Sequence, residues 1–261
     1  MQISLKGQVA WITGGAAGLG RAIALMCAEC GASVAVSDVD AHALDAVAEA
    51  IREKGVEGIA IPADVSDAAS MHRAMNRLIQ VFGRLDLVFA NAGTNGTWAP
   101  IEKLQPDEWC ETLAVNLTGT YLTAHVSVPH LKVRGGSIVI VSSVNGTRVF
   151  SNEGATAYSA SKAGQLALGK MLALELAQFR IRVNIICPGS IDTGIHDKTQ
   201  KRDLDEIENP VEFPDGSYPL TRTMAQPEQI ARLAVFLSSA AASHITGTPI
   251  WIDGAESLIQ G

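Results

Sequence analysis

Tyr158 and Lys162 stand four residues apart in Ala157-Tyr158-Ser159-Ala160-Ser161-Lys162-Ala163. The surrounding run is rich in Ala, Leu and Ser and reads as a helix, so both side chains project from one face. A phenol beside a fixed ammonium ionises at lower pH, because the cation stabilises the phenolate. Free tyrosine titrates near ~10 and needs such help before it can serve as a base near neutrality. The pair is a candidate for moving a proton. Taken alone it is equally readable as a surface pair.

A second motif lies at the other end of the chain. Thr13-Gly14-Gly15-Ala16-Ala17-Gly18-Leu19-Gly20 follows the apolar run Val9-Ala10-Trp11-Ile12, which reads as a buried strand. It precedes Arg21-Ala22-Ile23-Ala24-Leu25-Met26, which reads as a helix. A strand, a glycine-rich turn and a helix start form an anion site. Backbone N–H groups and the helix dipole point at a phosphate, and glycine lets the backbone approach. The spacing is Gly-x-x-x-Gly-x-Gly rather than the usual Gly-x-Gly-x-x-Gly, and no Gly-Lys-Ser/Thr follows, which excludes a phosphate loop of the nucleoside-triphosphatase type.

Four further motifs are Ala90-Asn91-Ala92-Gly93, Val115-Asn116, Ser142-Ser143, and Pro188-Gly189 followed by Thr193. With the glycine turn and the Tyr158–Lys162 pair, their order and spacing resemble the short-chain dehydrogenase/reductase family over nearly the whole length. The resemblance implies an oxidoreductase that moves hydride between a nicotinamide and a secondary alcohol or ketone. It makes Tyr158 the general acid–base and gives Lys162 two tasks, lowering the phenol pKa and bonding the nicotinamide ribose. Ser143 would orient the substrate oxygen, and Asn116 would hold the helix open to a water linked to Lys162. Family members commonly place the serine about 13 residues before the tyrosine. Here Ser143 lies 15 before it and Ser142 lies 16 before it. Ser143 fits better, with about two extra residues in 148–155 bordering the pocket, and Ser142 is expected to pack or bond locally.

The cofactor residues follow from both routes. Gly14, Ala17, Gly18, Leu19 and Gly20 form the phosphate turn. The second strand ends at Asp38, 18 residues past Gly20. An acid there accepts bonds from the adenosine ribose hydroxyls and repels the 2′-phosphate of NADP. Asp40 adds charge nearby, and Ala16-Ala17 carries no basic residue, so NAD is expected over NADP. By resemblance, Asp64 bonds the adenine, Val65 lines the ring, Asn91, Ala92 and Gly93 sit near the ribose and pyrophosphate, and Thr193 holds the carboxamide. Pro188, Gly189 and Ile191 complete the set. Strand ends also carry Asp, Asn and Gly simply as turn and cap formers.

Substrate residues are less determined. Thr94, Asn95, Asn145, Phe150, Asn152, Glu153, Ser190 and His196 are candidates, a polar and aromatic mixture that favours a sugar, polyol or hydroxy acid over a steroid. Other readings stay open: a dinucleotide-binding scaffold or regulator without catalysis, a dehydratase or epimerase retaining NAD, and a 3-oxoacyl-type reductase using NADP.

The elements that must position these groups alternate. Strand candidates are 8–13, 33–37, 58–63, 85–91, 137–142, 182–187 and 248–253; helix candidates are 19–30, 41–54, 67–82, 107–131, 157–178 and 227–238. Asp40, Ser66 and Gln226-Pro227 mark helix starts. Leu87-Val88-Phe89-Ala90 and Ile138-Val139-Ile140-Val141 are continuous apolar runs that fit strands buried on both faces of a parallel sheet. The expected fold is a single doubly wound, Rossmann-type α/β domain over 1–261, with a mostly parallel seven-stranded sheet. Residues 194–220 are polar and irregular, include Pro210, Pro214 and Pro219, and read as a substrate-covering loop with a short helix around 198–208.

Composition narrows the class. Of 261 residues, 47% are hydrophobic and 18% charged, and the net charge is −7, which argues against a nucleic-acid or anionic-membrane partner. No apolar run reaches the roughly 18 residues a membrane span needs. Met1 to Gly7 lead straight into the first strand and leave no room for a signal peptide, so a cytoplasmic protein is expected. Cys27-Ala28-Glu29-Cys30 has redox-pair spacing but sits at a helix end, away from the N-terminal dipole that activates thiols, and lacks the further ligands of a zinc site. It is read as packing, with no metal. Leu166, Leu168, Met171, Leu172, Leu174 and Leu176 cover more than one helix face, which requires burial on more than one side. Related proteins pair these helices across a twofold axis and add a second contact through the last strand, so a homotetramer is expected, with a dimer as alternative.

Overall fold

Successive residues of a strand face opposite ways, so a strand apolar at every position must be covered twice. Val9–Thr13 (β1) shows this. Ala10 and Ile12 enter one core with Ile23, Leu44 and Ile230, while Val9 and Trp11 enter another with Met71, Met75 and Leu122. The Trp11 indole, fully buried, donates to Ser37 Oγ at 2.8 Å, which removes the cost of an unpaired donor.

The computed structural model describes residues 3–195, 199–207 and 218–259. After β1 come α1 (Gly18–Glu29), β2 (Ser33–Asp38), α2 (Ala41–Arg52), β3 (Gly58–Pro62), α3 (Ala68–Phe82) and β4 (Leu87–Ala90). They are followed by β5 (Thr97–Trp98), α4 (Pro106–Leu113), α5 (Gly119–Leu131), β6 (Gly136–Val141), α6 (Thr156–Leu176) and β7 (Ile181–Pro188). The chain then forms β8 (Gln200–Lys201), α7 (Pro227–Ser238) and β9 (Pro249–Ile252). The seven-stranded sheet has the order β3-β2-β1-β4-β6-β7-β9 and is parallel throughout. Helices α1, α2 and α7 cover one face and α3, α5 and α6 the other. This is the doubly wound arrangement the apolar runs predict. The strand order reverses between β1 and β4, and ligands of such sheets bind in that crevice, beyond the carboxyl ends of the strands.

Three elements differ from expectation. The helix predicted over 107–131 is divided by a π-helical turn at Ala114–Thr118. The Asn116 carbonyl accepts from Thr120 Oγ1 at 2.7 Å and from Gln165 Nε2 at 2.8 Å, bonds that hold it off the regular ladder. The cap of α3 is Asp67 rather than Ser66, because its carboxylate accepts from the backbone N–H groups of Ala69 and Ser70. The helix expected around 198–208 is, in its described part, the two-residue strand β8 paired with β5, then a 3₁₀ turn at Leu204–Glu206. Arg202 secures that turn, donating to both Glu108 oxygens at 3.0 and 2.8 Å. Pro210 and Pro214 of the same stretch lie outside the described residues.

Among the described residues, no helix is long and apolar enough to cross a membrane. On α6, Leu176 is buried while Met171 is 68% and Leu174 80% exposed, leaving apolar side chains on the outer face.

Candidate active site

A cavity of about 800 Å³ opens along the carboxyl ends of β1, β2, β4, β6 and β7. Its floor at one end is the glycine turn. Gly14 has φ +66°, and a Cβ there would lie 2.7 Å from the Ala92 Cα; a Cβ on Gly20 would collide with the Gly14 carbonyl oxygen. The Asn91 amide donates to the carbonyls of Thr13 and Gly14 at 3.0 and 3.1 Å, so it fixes this turn as well as lining the cavity. No side chain caps α1 at Ala17, and its first turn carries no acid, so its leading N–H groups remain available for a phosphate.

Asp38 closes the same end. Its carboxylate accepts from the N–H groups of Ala16, Val39 and Asp40, at 3.2, 2.8 and 3.3 Å, and also lines the cavity. Asp64 accepts from the Ser66 N–H and hydroxyl at 2.8 and 2.7 Å, a turn-forming task beside its place in the lining, and Val65 lies next to it. Pro188, Gly189, Ile191 and Thr193 carry the far wall, with Ala17, Gly18, Leu19, Ala92 and Gly93 opposite. The uncapped helix start, the close-packed glycines and the acid at the end of β2 fit a nicotinamide dinucleotide.

At the other end, β6 and α6 bring Ser143, Tyr158 and Lys162 together. The Ser143 side chain lies beside the Tyr158 hydroxyl, near enough to pull its pKa down, and the Lys162 ammonium lies 5.6 Å from the Tyr158 ring centre. Ser142 points the other way and donates to the Lys162 carbonyl at 2.8 Å, tying strand to helix. Asn116 reaches in from the π turn. Its Oδ1 accepts from the Thr94 N–H at 2.8 Å, and its Nδ2 donates to the Thr94 carbonyl and Ser161 Oγ, each at 2.9 Å. Lys162 is 4% exposed and donates to the Val141 carbonyl at 3.1 Å.

Burial disfavours charge on both members of the pair. It lowers Lys162 to about 8, slightly opposed by the nearby Cys187. It raises Tyr158, with the Ser143 side chain pulling the other way. The expected lowering of the phenol by Lys162 is therefore not what the chain's own groups produce. Desolvation outweighs the other influences, and the hydroxyl stays protonated at neutral pH.

A family model described as enoyl-(acyl carrier protein) reductase matches residues 14–255. A 3-ketoacyl-ACP reductase from Sinorhizobium meliloti 1021 is 50% identical with a TM-score of 0.93, over 96% of this chain and 99% of that one. The chain belongs to the short-chain dehydrogenase/reductase family. A (−)-trans-carveol dehydrogenase from Rhodococcus erythropolis is 36% identical over 97% of this chain and 99% of its own length. A 3-ketoacyl-(acyl-carrier-protein) reductase from Brucella melitensis, solved in complex with NADH, is 30% identical with a TM-score of 0.86, covering 97% of this chain and 100% of that one.

In this short-chain dehydrogenase/reductase the remaining wall of the cavity carries most of the candidate substrate residues. Thr94, Asn95, Asn145, Asn152 and Ser190 line the cavity as predicted. Phe150 and Glu153 are not among its lining residues. Val149 takes the inward position at 2% exposure, which turns Phe150 outward to 72%. His196 lies outside the described residues. Trp98, Ser151, Lys201, Tyr218 and Glu256 join the wall without having been expected. Trp98 and Lys201 arrive through the β5–β8 pair, and Glu256 from a 3₁₀ turn near the end of the chain. None belongs to a spaced motif; only the unusual Trp98 in a polar stretch offered a signal. Cys27 is buried in the core and its thiol is pushed up by burial and by Cys30, so it is a packing residue rather than a nucleophile.

Proposed function

We propose that this chain is an NAD-dependent oxidoreductase that interconverts a secondary alcohol and a ketone. The observation that carries the reading is one cavity with Asp38 at one end and Ser143, Tyr158 and Lys162 at the other. The nicotinamide, when bound, would supply or accept the hydride. Gly14, Gly18, Gly20 and the N-terminus of α1 hold the pyrophosphate, and Asp38 accepts from the adenosine ribose. Ser143 donates to the substrate oxygen and Tyr158 moves its proton. Lys162 bonds the nicotinamide ribose and supplies positive charge when ionised. Asn116 holds the π turn against Thr94 and Ser161, keeping the proton path beside Lys162 polar.

A phenol pKa raised by burial favours its role as acid, which suits ketone reduction at neutral pH. A substrate-covering role for the 194–220 segment is supported by Gly194, Ile195, Lys201 and Tyr218, its described residues at the cavity wall. The exposed Met171 and Leu174 support a homotetramer.

A second reading is a 3-oxoacyl-type reductase using NADP. The 50% identity to the Sinorhizobium meliloti reductase favours it; the carboxylate of Asp38 at the ribose end argues against the 2′-phosphate. A panel of alcohols, ketones and a 3-oxoacyl thioester with NAD(H) and NADP(H), followed at the nicotinamide absorbance, decides between them. Turnover of simple alcohols with NAD supports the first reading, and turnover confined to the thioester with NADPH overturns it.

A further inference from the structure

The wall of the substrate half of the cavity carries one exposed lysine. Lys201 lines the cavity from β8, and its ammonium lies 5.7 Å from the ring centre of Trp98, another lining residue. The strand that carries it is fixed on both sides. Gln200 N–H donates to the Gly96 carbonyl at 3.3 Å, Arg202 N–H to the Trp98 carbonyl at 3.0 Å, and Asn95 Nδ2 to Thr199 Oγ1 at 2.7 Å. Trp98 is itself anchored, its indole N–H donating to the Asn95 carbonyl at 3.1 Å. The ammonium is thus held at the cavity by backbone pairing and by the ring face.

Its basic neighbours are engaged otherwise. Lys103 pairs with Asp203 and Glu206, and Arg202 with Glu108. Among the described residues, no carboxylate pairs with Lys201. The acids of the cavity do not compensate it. Asp38 ends β2 and Asp64 follows β3, at the nucleotide end. Glu256 faces Ser190, with both oxygens bonded to it at 2.8 and 2.7 Å, and makes no ion pair with Lys201. Thr94, Asn95, Ser143 and Asn145, by contrast, follow β4 and β6, as does the segment bearing Trp98, and all of them line the cavity.

Resting on the oxidoreductase reading above, we propose that the substrate is a hydroxy- or oxo-carboxylic acid whose carboxylate is bound by Lys201. A single ammonium matches a single negative charge, and the exposed amide of Asn152, also on the cavity wall, can share the carboxylate oxygens. A phosphate dianion would need further cations that this wall lacks among its described residues. Lys201 is on this account a specificity-determining residue, and the distance from hydroxyl to carboxylate selects among acids.

The test uses the full chain and matched pairs that differ only in charge. The probes are lactate and lactamide, 3-hydroxybutyrate and 3-hydroxybutyramide, and 4-hydroxycyclohexanecarboxylate and its amide, with cyclohexanol as a neutral reference. The expected result is a kcat/KM ratio of acid to amide of about ten or more, carried by KM and decreasing with added salt. In Lys201→Met, which keeps the aliphatic stem against Trp98, the ratio should fall towards one; in Lys201→Arg it should return. A general loss of folding lowers acid and amide together and leaves the ratio intact, which counts against the proposal. Turnover of neutral alcohols with no preference for acids overturns the Lys201 assignment alone. Absence of turnover for every alcohol and ketone, on either nucleotide, overturns the oxidoreductase reading itself.

Discussion

Ser190 gives both its hydrogens to Glu256: the backbone N–H reaches Oε2 at 2.8 Å and the hydroxyl reaches Oε1 at 2.7 Å. Glu256 is 6% exposed and lies 66 residues further along the chain. The contact clamps the turn after β7, where Gly189 follows Pro188, to the C-terminal segment. A charge-assisted bond of this kind is worth about 1.5–3 kcal/mol, and removing the acceptor leaves half-buried donors unpaired. Glu256→Ala is expected to lower the melting temperature and raise KM for the nucleotide several-fold. Glu256→Gln, which keeps one acceptor, should recover most of both. Equal behaviour of Ala and wild type in thermal unfolding and cofactor titration would show that the clamp does not hold the wall.

Tyr158→Phe keeps the ring and removes the transferable proton. Turnover should fall by about two or more orders of magnitude, as expected for loss of general acid–base help, while nucleotide binding persists. Because burial raises the phenol pKa, the oxidation direction of the unmodified enzyme should accelerate with rising pH and the reduction direction should slow. Steady-state rates in both directions across the pH range check this, and a flat oxidation profile would contradict it.

Lys162 carries a stability signature. Its folded pKa, about 8, lies below the ~10.4 of an unfolded lysine, so the unfolded chain holds more protons between these values. Burial of the ammonium therefore opposes folding fully below about pH 8, and the penalty fades as pH rises towards ~10.4. The full penalty is on the order of 3 kcal/mol. Lys162→Met should gain stability relative to wild type at pH 7, and the gap should narrow towards pH 10. Denaturant unfolding at the two pH values gives the difference, and a constant gap would refute the assignment.

Asp38→Ala should weaken NAD and relieve repulsion of NADP, shifting the preference by roughly ten-fold or more, about 1.4 kcal/mol. Fluorescence titration with each nucleotide reads the shift. Comparable affinities in the unmodified chain would remove the argument from Asp38.

The outer face of α6 exposes Met171 and Leu174. In a homotetramer these side chains are covered, and Leu174→Glu should then lower the mass measured by light scattering at micromolar concentration. A mass near 27.5 kDa for the wild type would show a monomer and end the proposal.

Several strands of the main sheet were readable because they are continuous apolar runs, such as Leu87–Ala90 and Ile138–Val141, buried on both faces. The glycine turn and the Tyr158–Lys162 pair were readable because their chemistry is local in sequence. The β5–β8 pair was not. Two residues have no measurable period, and Thr97 meets Gln200 across more than a hundred positions, a pairing no local signal encodes. Lys201 and Glu256 share that limit: each reaches the cavity through long-range pairing. Phe150 misled for the opposite reason, since its type fits a pocket while its neighbour Val149 holds the inward position.

The π turn at Ala114–Thr118 also sets an angular phase. A regular helix advances about 100° per residue, so one extra residue in a turn rotates everything before it relative to everything after it. Helix α4, whose Glu108 anchors Arg202, and helix α5, whose Leu122 and Val126 enter the core, are each correctly aimed only because of that offset. Removing one residue from the segment would leave a longer and more regular helix. It would also swing Glu108 away from Arg202, or Leu122 out of the core, and draw Asn116 off Thr94. In this protein the irregular turn acts as the indexing pin between the wall of the cavity and the sheet beneath it.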